Sequence, residues 1–282
     1  MSRKVYLAAD IGAGSGRVLA GVYSDGKIAL EELCRFDNQP QEVGGSLKWD
    51  IEGVFQEIIK GVKLAVDRYG DDVKSIGVDT WGVDYALLDE NDSVLETPYC
   101  YRDNRTDGMI DAAEKILPQS ARYVEAGLQQ LHFNTLYQLL AEKQKGDNLA
   151  KAKTLLFIPD LINFWLSGVK ANEVTIASTS EMLSAKNGQW SDHLLTCFEI
   201  PKSILNELSE PGDVLGKITE KIADEVGKAD LKVVATPSHD TAAAVAACPL
   251  PKDETSIFIS SGTWSLMGVE SENAQLTRSP MR

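Results

Sequence analysis

The chain has 282 residues, of which 43% are hydrophobic and 25% are charged, as in an ordinary globular protein whose core needs no disulfide or metal. Its net charge is −14 and it has no basic stretch, which argues against nucleic-acid binding. No apolar run approaches the roughly 20 residues of a membrane span. Residues 1–11 lack an apolar signal region, so we do not expect export by a classical signal. The cysteines are dispersed, which favours a reducing cytoplasm.

The first part of the chain has the pattern of strands followed by a helix. Apolar stretches predict strands at residues 5–11, 17–23 and 27–36, with a hairpin turn at Ser24-Asp25-Gly26. Asp50 is expected to cap a helix that runs to about Tyr69, because apolar residues recur there at i, i+4 spacing. Two more strands are predicted at residues 74–79 and 83–88.

The middle of the chain, residues 106–208, has mainly helical signals. Asn134 can cap one helix, and Pro159 suits the first position of another that ends at Gly168. A strand at residues 231–235 then leads into an alanine-rich helix from Asp240 to Cys248. After a short linker, strands are predicted at 256–260 and 264–269.

The first segment with possible chemistry is Asp10-Ile11-Gly12-Ala13-Gly14-Ser15-Gly16-Arg17, between two predicted strands. It lacks the lysine of a Walker loop, and its glycine spacing differs from the dinucleotide-binding pattern. A glycine-rich hairpin can nevertheless wrap phosphate oxygens, with Asp10 holding a divalent cation through water. The alternative is a tight hairpin that needs glycine only for its backbone angles.

A second segment, Ser260-Ser261-Gly262-Thr263, also lies between two apolar strands. Alone it is compatible with an ordinary turn. Two hairpins of similar character near the two ends of the sequence suggest the paired phosphate loops of an actin/hexokinase-type nucleotide clamp.

The third segment is Ser238-His239-Asp240-Thr241, where a strand gives way to a helix. Free amides and the helix dipole favour a carboxylate there. Asp240 could accept the proton of a sugar hydroxyl as that oxygen attacks a γ-phosphate, and His239 could donate a hydrogen bond to a polyol. The alternatives are a plain N-cap and a structural histidine.

Two further segments have an open interpretation. In residues 79–84, the Trp81-Gly82 step could place an aromatic wall beside exposed backbone, which suits a sugar, or could be a β-bulge with a core tryptophan. Residues 101–105, which combine Tyr101 with two arginines, could line a polar cleft or form a solvated, salt-bridged loop.

Together these segments resemble the FGGY family of carbohydrate kinases over essentially the whole chain. The resemblance rests on the order and spacing of residues 10–17, 79–84, 101–106, 133–139, 235–241 and 260–268. Thr236-Pro237 departs from relatives, which often have smaller or apolar residues there. The resemblance implies an α/β, RNase H-like fold of the actin/hexokinase type, with a mixed β-sheet and flanking helices.

The resemblance also implies an activity, namely the ATP-dependent and Mg²⁺-dependent phosphorylation of L-rhamnulose at its 1-hydroxyl. By this analogy Asp240 is the general base and Asp10 lies near the metal. The sugar would be contacted by Gly82, His239, Asp240 and Thr241. The nucleotide phosphates would be contacted by Ala13, Gly14, Ser15, Gly16, Arg17 and Thr263.

Members of this family are longer and have two RNase H-like domains. We therefore expect the first domain at residues 1–248 and only the start of a truncated second domain at residues 249–282, with little or no activity in isolation. The alternatives are a kinase for another ketose, such as fuculose or xylulose, and a non-catalytic sugar-binding remnant. A further alternative is a structural or chaperone-like ATPase with the actin fold. The sequence does not predict an oligomeric state.

Overall fold

The computed structural model describes residues 3–251, 256–261, 265–271, 274 and 276. It is built on a six-stranded mixed sheet, in the order β11-β12-β6-β1-β2-β3, with smaller two-stranded sheets beside it. The strands are β1 Lys4–Ile11, β2 Ser15–Ser24, β3 Lys27–Asp37, β4 Gln41–Val43, β5 Ser46–Lys48, β6 Val73–Thr80, β7 Tyr85–Leu88, β8 Thr154–Phe157, β9 Asn172–Glu173, β10 Leu208–Ser209, β11 Val214–Lys217, β12 Lys232–Val234, β13 Ile257–Ser261 and β14 Ser265–Val269.

Helices flank the sheet and fill most of the middle of the chain, as predicted. They are α1 Ile51–Tyr69, α2 Met109–Ile116, α3 Gln119–Ala126, α4 Thr135–Lys145, α5 Asn148–Lys151, α6 Ile158–Ser167, α7 Val174–Ala177, α8 Asp192–Cys197, α9 Glu220–Val226 and α10 Asp240–Ala247. Of the helices in the described ranges, none combines the length and the apolar character that a membrane crossing requires.

Helix α1 shows why these residues form this element. The Asp50 carboxylate accepts the amide of Gly53 at 2.9 Å, which caps the first turn as predicted. The apolar positions, among them Val54, Ile58 and Val62, are buried against the sheet. The helix ends at Gly70, whose positive φ of 51° an L side chain would rarely adopt.

The main sheet has the mixed topology expected from the sequence. β1 pairs in parallel with β6 and antiparallel with β2, β12 is parallel to β6, and β2 continues antiparallel into β3. The strand predicted at residues 83–88 begins only at Tyr85, and it pairs with β8 outside the main sheet. Strand β11, which was not predicted, forms the far edge beside β12.

Two apolar cores lie on either side of one short segment. The first core packs the main sheet against α1, α6 and α9, and the second gathers α4, α8, β7 and β8. Trp81 belongs to the first core and Tyr85 to the second, so residues 82–84 cross between them. This crossing lies just beyond the carboxyl end of β6, next to that of β1.

The hairpin of β13 and β14 pairs only with itself among the described strands. Ile257, Ile259 and Met267 are largely exposed on it. The domain boundary after Cys248 stays a prediction. The four cysteines are unpaired, in agreement with their dispersed spacing.

Candidate functional site

The glycine-rich hairpin between β1 and β2 is fixed by its neighbours. The carbonyl of Gly12 accepts the Asn38 side-chain amide at 2.8 Å, and the carbonyl of Gly14 accepts the Asn38 backbone amide at 3.2 Å. None of the loop glycines has a positive φ, so the interpretation based on backbone angles alone is wrong. Gly16 is required for packing, because a Cβ there would lie 2.4 Å from the Phe36 ring.

Asp10 and Arg17 face each other across this hairpin. They are register partners of β1 and β2, and the guanidinium donates to the Asp10 carboxylate from Nη2 at 2.6 Å and from Nε at 2.9 Å. Both side chains are partly exposed. The residue expected near the metal and one residue expected at the phosphates therefore bind each other in this structure.

Asp79 joins the site although the sequence did not mark it as a site residue. It is the parallel register partner of Asp10, at the carboxyl end of β6. Burial, reinforced by the charges of Asp10 and Asp240, raises the pKa of Asp79 to about 8, and Arg17 opposes this effect. The order of strands could have revealed this residue, because carboxyl ends of adjacent parallel strands meet at one edge of a sheet.

The segment with Asp240 is attached to the end of β6. The Thr80 amide donates to the carbonyl of Ser238 at 2.9 Å, and Thr80 forms a parallel bridge with His239. Asp240 is the first residue of α10, and its Oδ1 accepts the Thr241 amide at 2.6 Å. His239, not Asp240, occupies the N-cap position, so the interpretation of Asp240 as a plain N-cap is wrong.

The Asp240 carboxylate is accessible, with 44% of its side chain exposed, and its Oδ1 lies 3.3 Å from His239 Nε2. Burial lowers the pKa of His239, against the opposing influence of the Asp240 and Glu173 carboxylates. A neutral imidazole can donate from one nitrogen and accept at the other, which suits hydrogen bonding to a polyol.

Gly82 brings the crossing segment to the same point. A Cβ on Gly82 would lie 3.1 Å from Thr179 Cγ2 and 3.4 Å from His239 Nε2. Gly82 therefore lies against the ring of His239, and only a glycine fits without displacing a neighbour. Four of the residues expected to contact the sugar, Gly82, His239, Asp240 and Thr241, come together here, although more than 150 positions separate the first from the others.

Trp81 does not provide an aromatic wall. It is buried, its ring centroid lies 4.3 Å from that of Trp49, and its Nε1 donates to Asp84 Oδ2 at 2.9 Å. Of the second interpretation, the core tryptophan is correct and the β-bulge is wrong, because β6 ends at Thr80 and its register shift lies at the other end of the strand. The same Asp84 carboxylate accepts from Trp49 Nε1, the Tyr101 amide and Gln138 Nε2 at 2.7, 3.0 and 2.8 Å.

The Asp84 carboxylate, which we call the anchor, lies beneath the backbone of residues 82–84 and fixes it through these four hydrogen bonds. Only 1% of Asp84 is exposed. Burial raises the pKa of Asp84 to about 6, against the hydrogen bonds that favour its ionised form. Arg105 supports this anchor by donating to the Gln138 amide oxygen at 2.7 Å and to Glu142 at 2.9 Å. Arg105 and Asp103 are buried or nearly so, so the solvated-loop interpretation of residues 101–105 is wrong for them.

Val83 has a strained backbone that the sequence could not reveal. Its φ is +70°, a left-handed conformation that β-branched residues rarely adopt. Its amide donates to Thr179 Oγ1 at 3.0 Å, and its carbonyl accepts Thr135 Oγ1 at 2.7 Å. Such strain persists only where surrounding bonds enforce it, and it is concentrated at functional sites.

The nucleotide side of the site is described only in part. Ser260 and Ser261 end β13, whereas Gly262 and Thr263, the latter expected at the phosphates, lie outside the described residues. No group of three or more His, Cys, Asp and Glu side chains within the described ranges is arranged to hold a metal ion. Mg²⁺ usually keeps several waters and binds one or two carboxylates plus substrate phosphates, and the partly exposed Asp10 fits that mode.

Comparison with known proteins identifies a family. Residues 5–247 match the N-terminal domain of the FGGY family of carbohydrate kinases. The chain is 43% identical over 265 residues to a rhamnulokinase of Oceanobacillus iheyensis, which covers 94% of this chain and 56% of that protein. It is 38% identical over 273 residues to a rhamnulokinase of Bacteroides thetaiotaomicron, with coverages of 96% and 56%.

Solved structures show the same fold. The crystal structure of a carbohydrate kinase from Novosphingobium aromaticivorans superposes with a TM-score of 0.83 at 20% identity, covering 99% of this chain and 58% of the other. Gluconate kinase from Lactobacillus acidophilus gives a TM-score of 0.77 at 19% identity, with coverages of 85% and 48%. The chain thus spans about half the length of these relatives.

Proposed function

We propose that this chain, which belongs to the FGGY family of carbohydrate kinases, carries the sugar-binding side and the general base of a kinase that phosphorylates L-rhamnulose at its 1-hydroxyl. The observation that carries the proposal is the meeting of Gly82, His239 and Asp240 at the end of β6. The identity to rhamnulokinases, near 40%, supports the choice of ketose.

The geometry suits a proton transfer to Asp240. Its carboxylate is accessible, and it is held at the start of α10 by the Thr241 amide. The 1-hydroxyl oxygen of the ketose attacks the γ-phosphorus of ATP, its proton passes to Asp240, and ADP leaves with the electrons of the broken P–O bond. His239 and the Gly82 backbone bind and orient the sugar.

The charges of Asp10 and Asp240 both act on Asp79, so we expect Asp10 and the hairpin of residues 13–17 to face the phosphates on the side of this base. Mg²⁺ held through water at Asp10 would supply charge neutralisation on the transferred phosphoryl group. Arg17 could then leave Asp10 for a phosphate oxygen, because both partners of this ion pair are partly exposed. The unpaired cysteines support a reducing compartment such as the cytoplasm as the place of action.

The test is ADP release by the purified chain with ATP, Mg²⁺ and L-rhamnulose, beside fuculose and xylulose, in the wild type and in Asp240→Asn. We expect little or no turnover from this chain in isolation. Where turnover is measurable, it should be fastest with L-rhamnulose and should fall by roughly 10²–10⁴ in the variant. Turnover that Asp240→Asn leaves intact contradicts the assignment of the base, and a folded chain that binds no ketose contradicts the sugar site.

A further inference from the structure

Glu173 is a buried carboxylate that the proposed chemistry does not use, yet it binds the segment that carries the base. It ends β9 and is only 1% exposed. Its Oε2 accepts the backbone amide of Ser238 at 3.1 Å and the Ser238 hydroxyl at 2.6 Å. Ser238 is fully buried and directly precedes His239 and Asp240.

The same oxygen also organises the turn that faces His239. Glu173 Oε2 accepts the Thr175 hydroxyl at 2.6 Å and the Ile176 amide at 3.1 Å. Thr175 Oγ1 in turn accepts the backbone amide of His239 at 3.3 Å. Four donors therefore converge on one carboxylate oxygen. Hydrogen bonds to an ionised acceptor are about twice as strong as neutral ones, so a charged acceptor suits this position.

Glu173 is itself held from the opposite side. Its backbone amide donates to Asp160 Oδ1 at 3.1 Å, and Asp160 lies in α6, on the first core. Beyond Ser238, the Ser238 carbonyl accepts the Thr80 amide at the end of β6. A continuous set of buried hydrogen bonds thus connects α6, Glu173, Ser238 and β6. These bonds hold Ser238, two positions before Asp240, from Glu173 on one side and from Thr80 on the other.

We propose that Glu173 is a positioning residue, which holds Ser238 so that the His239 ring and the Asp240 carboxylate keep their place over the sugar site. The proposal rests on the proposed function for what those two side chains do. It assigns Glu173 no contact with the substrate, because its side chain is buried beneath the segment.

The test compares Glu173→Gln with Glu181→Gln in the full chain. Glu181 is an equally suitable buried carboxylate, with 3% exposed, and it lies eight positions further on. Each carboxylate has one oxygen without a hydrogen-bond partner among the described residues. Glu181 accepts a hydrogen bond from Arg122 at 3.0 Å and makes none to residues 238–240. Its variant therefore reports what the loss of a buried carboxylate costs at a place that does not hold Asp240.

Three readouts are measured in both variants. The first is amide hydrogen exchange at Ser238, which we expect to be at least about tenfold faster in Glu173→Gln than in Glu181→Gln at matched global stability. The second is the titration of the His239 ring by NMR. Removal of the Glu173 charge is expected to lower the pKa of His239 further, whereas Glu181→Gln leaves it unchanged.

The third readout is affinity for L-rhamnulose by calorimetry, expected to fall about tenfold or more in Glu173→Gln only. Exchange and titration in Glu173→Gln that equal those of Glu181→Gln overturn the positioning role. If the wild type binds no ketose while the first two readouts change as expected, the positioning of the segment stands and the proposed function fails. The two proposals are therefore separable.

Discussion

The crossing segment of residues 82–84 lies at the proposed sugar site, whereas the hairpin of β13 and β14 flanks, in the sequence, the expected phosphate contact Thr263, and different interactions hold the two. The crossing segment lies between two apolar cores, and the Asp84 carboxylate beneath it accepts four donors. The hairpin is held by its own ladder, and the side chains of Ile257, Ile259 and Met267 remain largely exposed.

Under the proposed function, this difference lies between the sugar side of the site and the second expected phosphate loop. Buried hydrogen bonds fix a segment in one arrangement before any ligand arrives, which lowers the entropy lost on binding. An exposed hairpin has few contacts with which to resist local opening. We therefore expect the sugar side of the site to be preorganised by the described residues of this chain. The predictions below probe this contrast.

The largest effect on stability is expected from Asp84→Ala. It leaves the buried indole N–H groups of Trp49 and Trp81 unpaired, each at a cost of about 1–3 kcal/mol, so the free energy of unfolding should fall by roughly 3 kcal/mol or more. Urea denaturation measures the loss. The matched control is Asp89→Ala, which removes two hydrogen bonds in an exposed turn where water can replace them. Equal losses in the two variants would show that Asp84 is no anchor.

An intermediate effect is expected from Asp79, at the boundary of the two sides. Its pKa is raised from 3.8 to about 8, so the folded chain keeps a proton that the unfolded chain has released. The stability that this group contributes is fully present below the pKa of the unfolded chain and is lost as pH rises through the pKa of the folded chain. The free energy of unfolding should therefore fall between pH 6.5 and pH 8, and Asp79→Asn should remove most of this slope.

Urea denaturation at the two pH values measures that slope. Asp84→Asn is the control, because the pKa of Asp84 is raised only to about 6 and its contribution is complete below this window. His239, with a lowered pKa, destabilises the fold only as pH falls below 6.5. A slope that persists unchanged in Asp79→Asn rules out the titration of Asp79 as its cause.

The smallest effect is expected at the first hairpin, from Arg17→Ala. The Asp10–Arg17 ion pair is partly exposed, and such pairs contribute at most about 1 kcal/mol to stability. Thermal unfolding should resemble that of Arg35→Ala, which removes the exposed Arg35–Glu32 pair from the same sheet. A loss as large as that of Asp84→Ala would place the hairpin among the rigid parts of the site.

Local patterns in the sequence predicted much of the fold. Helix α1 followed from the spacing of Val54, Ile58 and Val62 and from its two end signals, because amphipathic spacing and capping act over a few residues. The first three strands and the turn before Asp240 were predicted for the same reason. The turn itself suggested a base at Asp240 and a polyol donor at His239, and the resemblance to a family added Gly82 to the expected sugar contacts. The structure brings these three residues together.

The supporting parts of the site could not be predicted, because they depend on contacts between distant segments. Asp84 binds Trp49, which is 35 positions away, and Gln138, which is 54 positions away. Glu173 reaches Ser238 across 65 positions. The left-handed conformation of Val83 contradicts its local preference and exists only because Thr179 and Thr135 bind its backbone.

The most direct test of the preorganised sugar side is calorimetric titration of the chain with L-rhamnulose in the absence of nucleotide, beside Gly82→Ala and Gly146→Ala. A methyl group on Gly82 would lie 3.1 Å from Thr179 Cγ2 and in contact with the His239 ring, whereas one on Gly146 meets nothing within 4 Å. We predict that the wild type and Gly146→Ala bind the ketose at one site per chain and that Gly82→Ala binds it at least about tenfold more weakly. A folded wild type without ketose binding, or binding that Gly82→Ala leaves unchanged, would contradict the account.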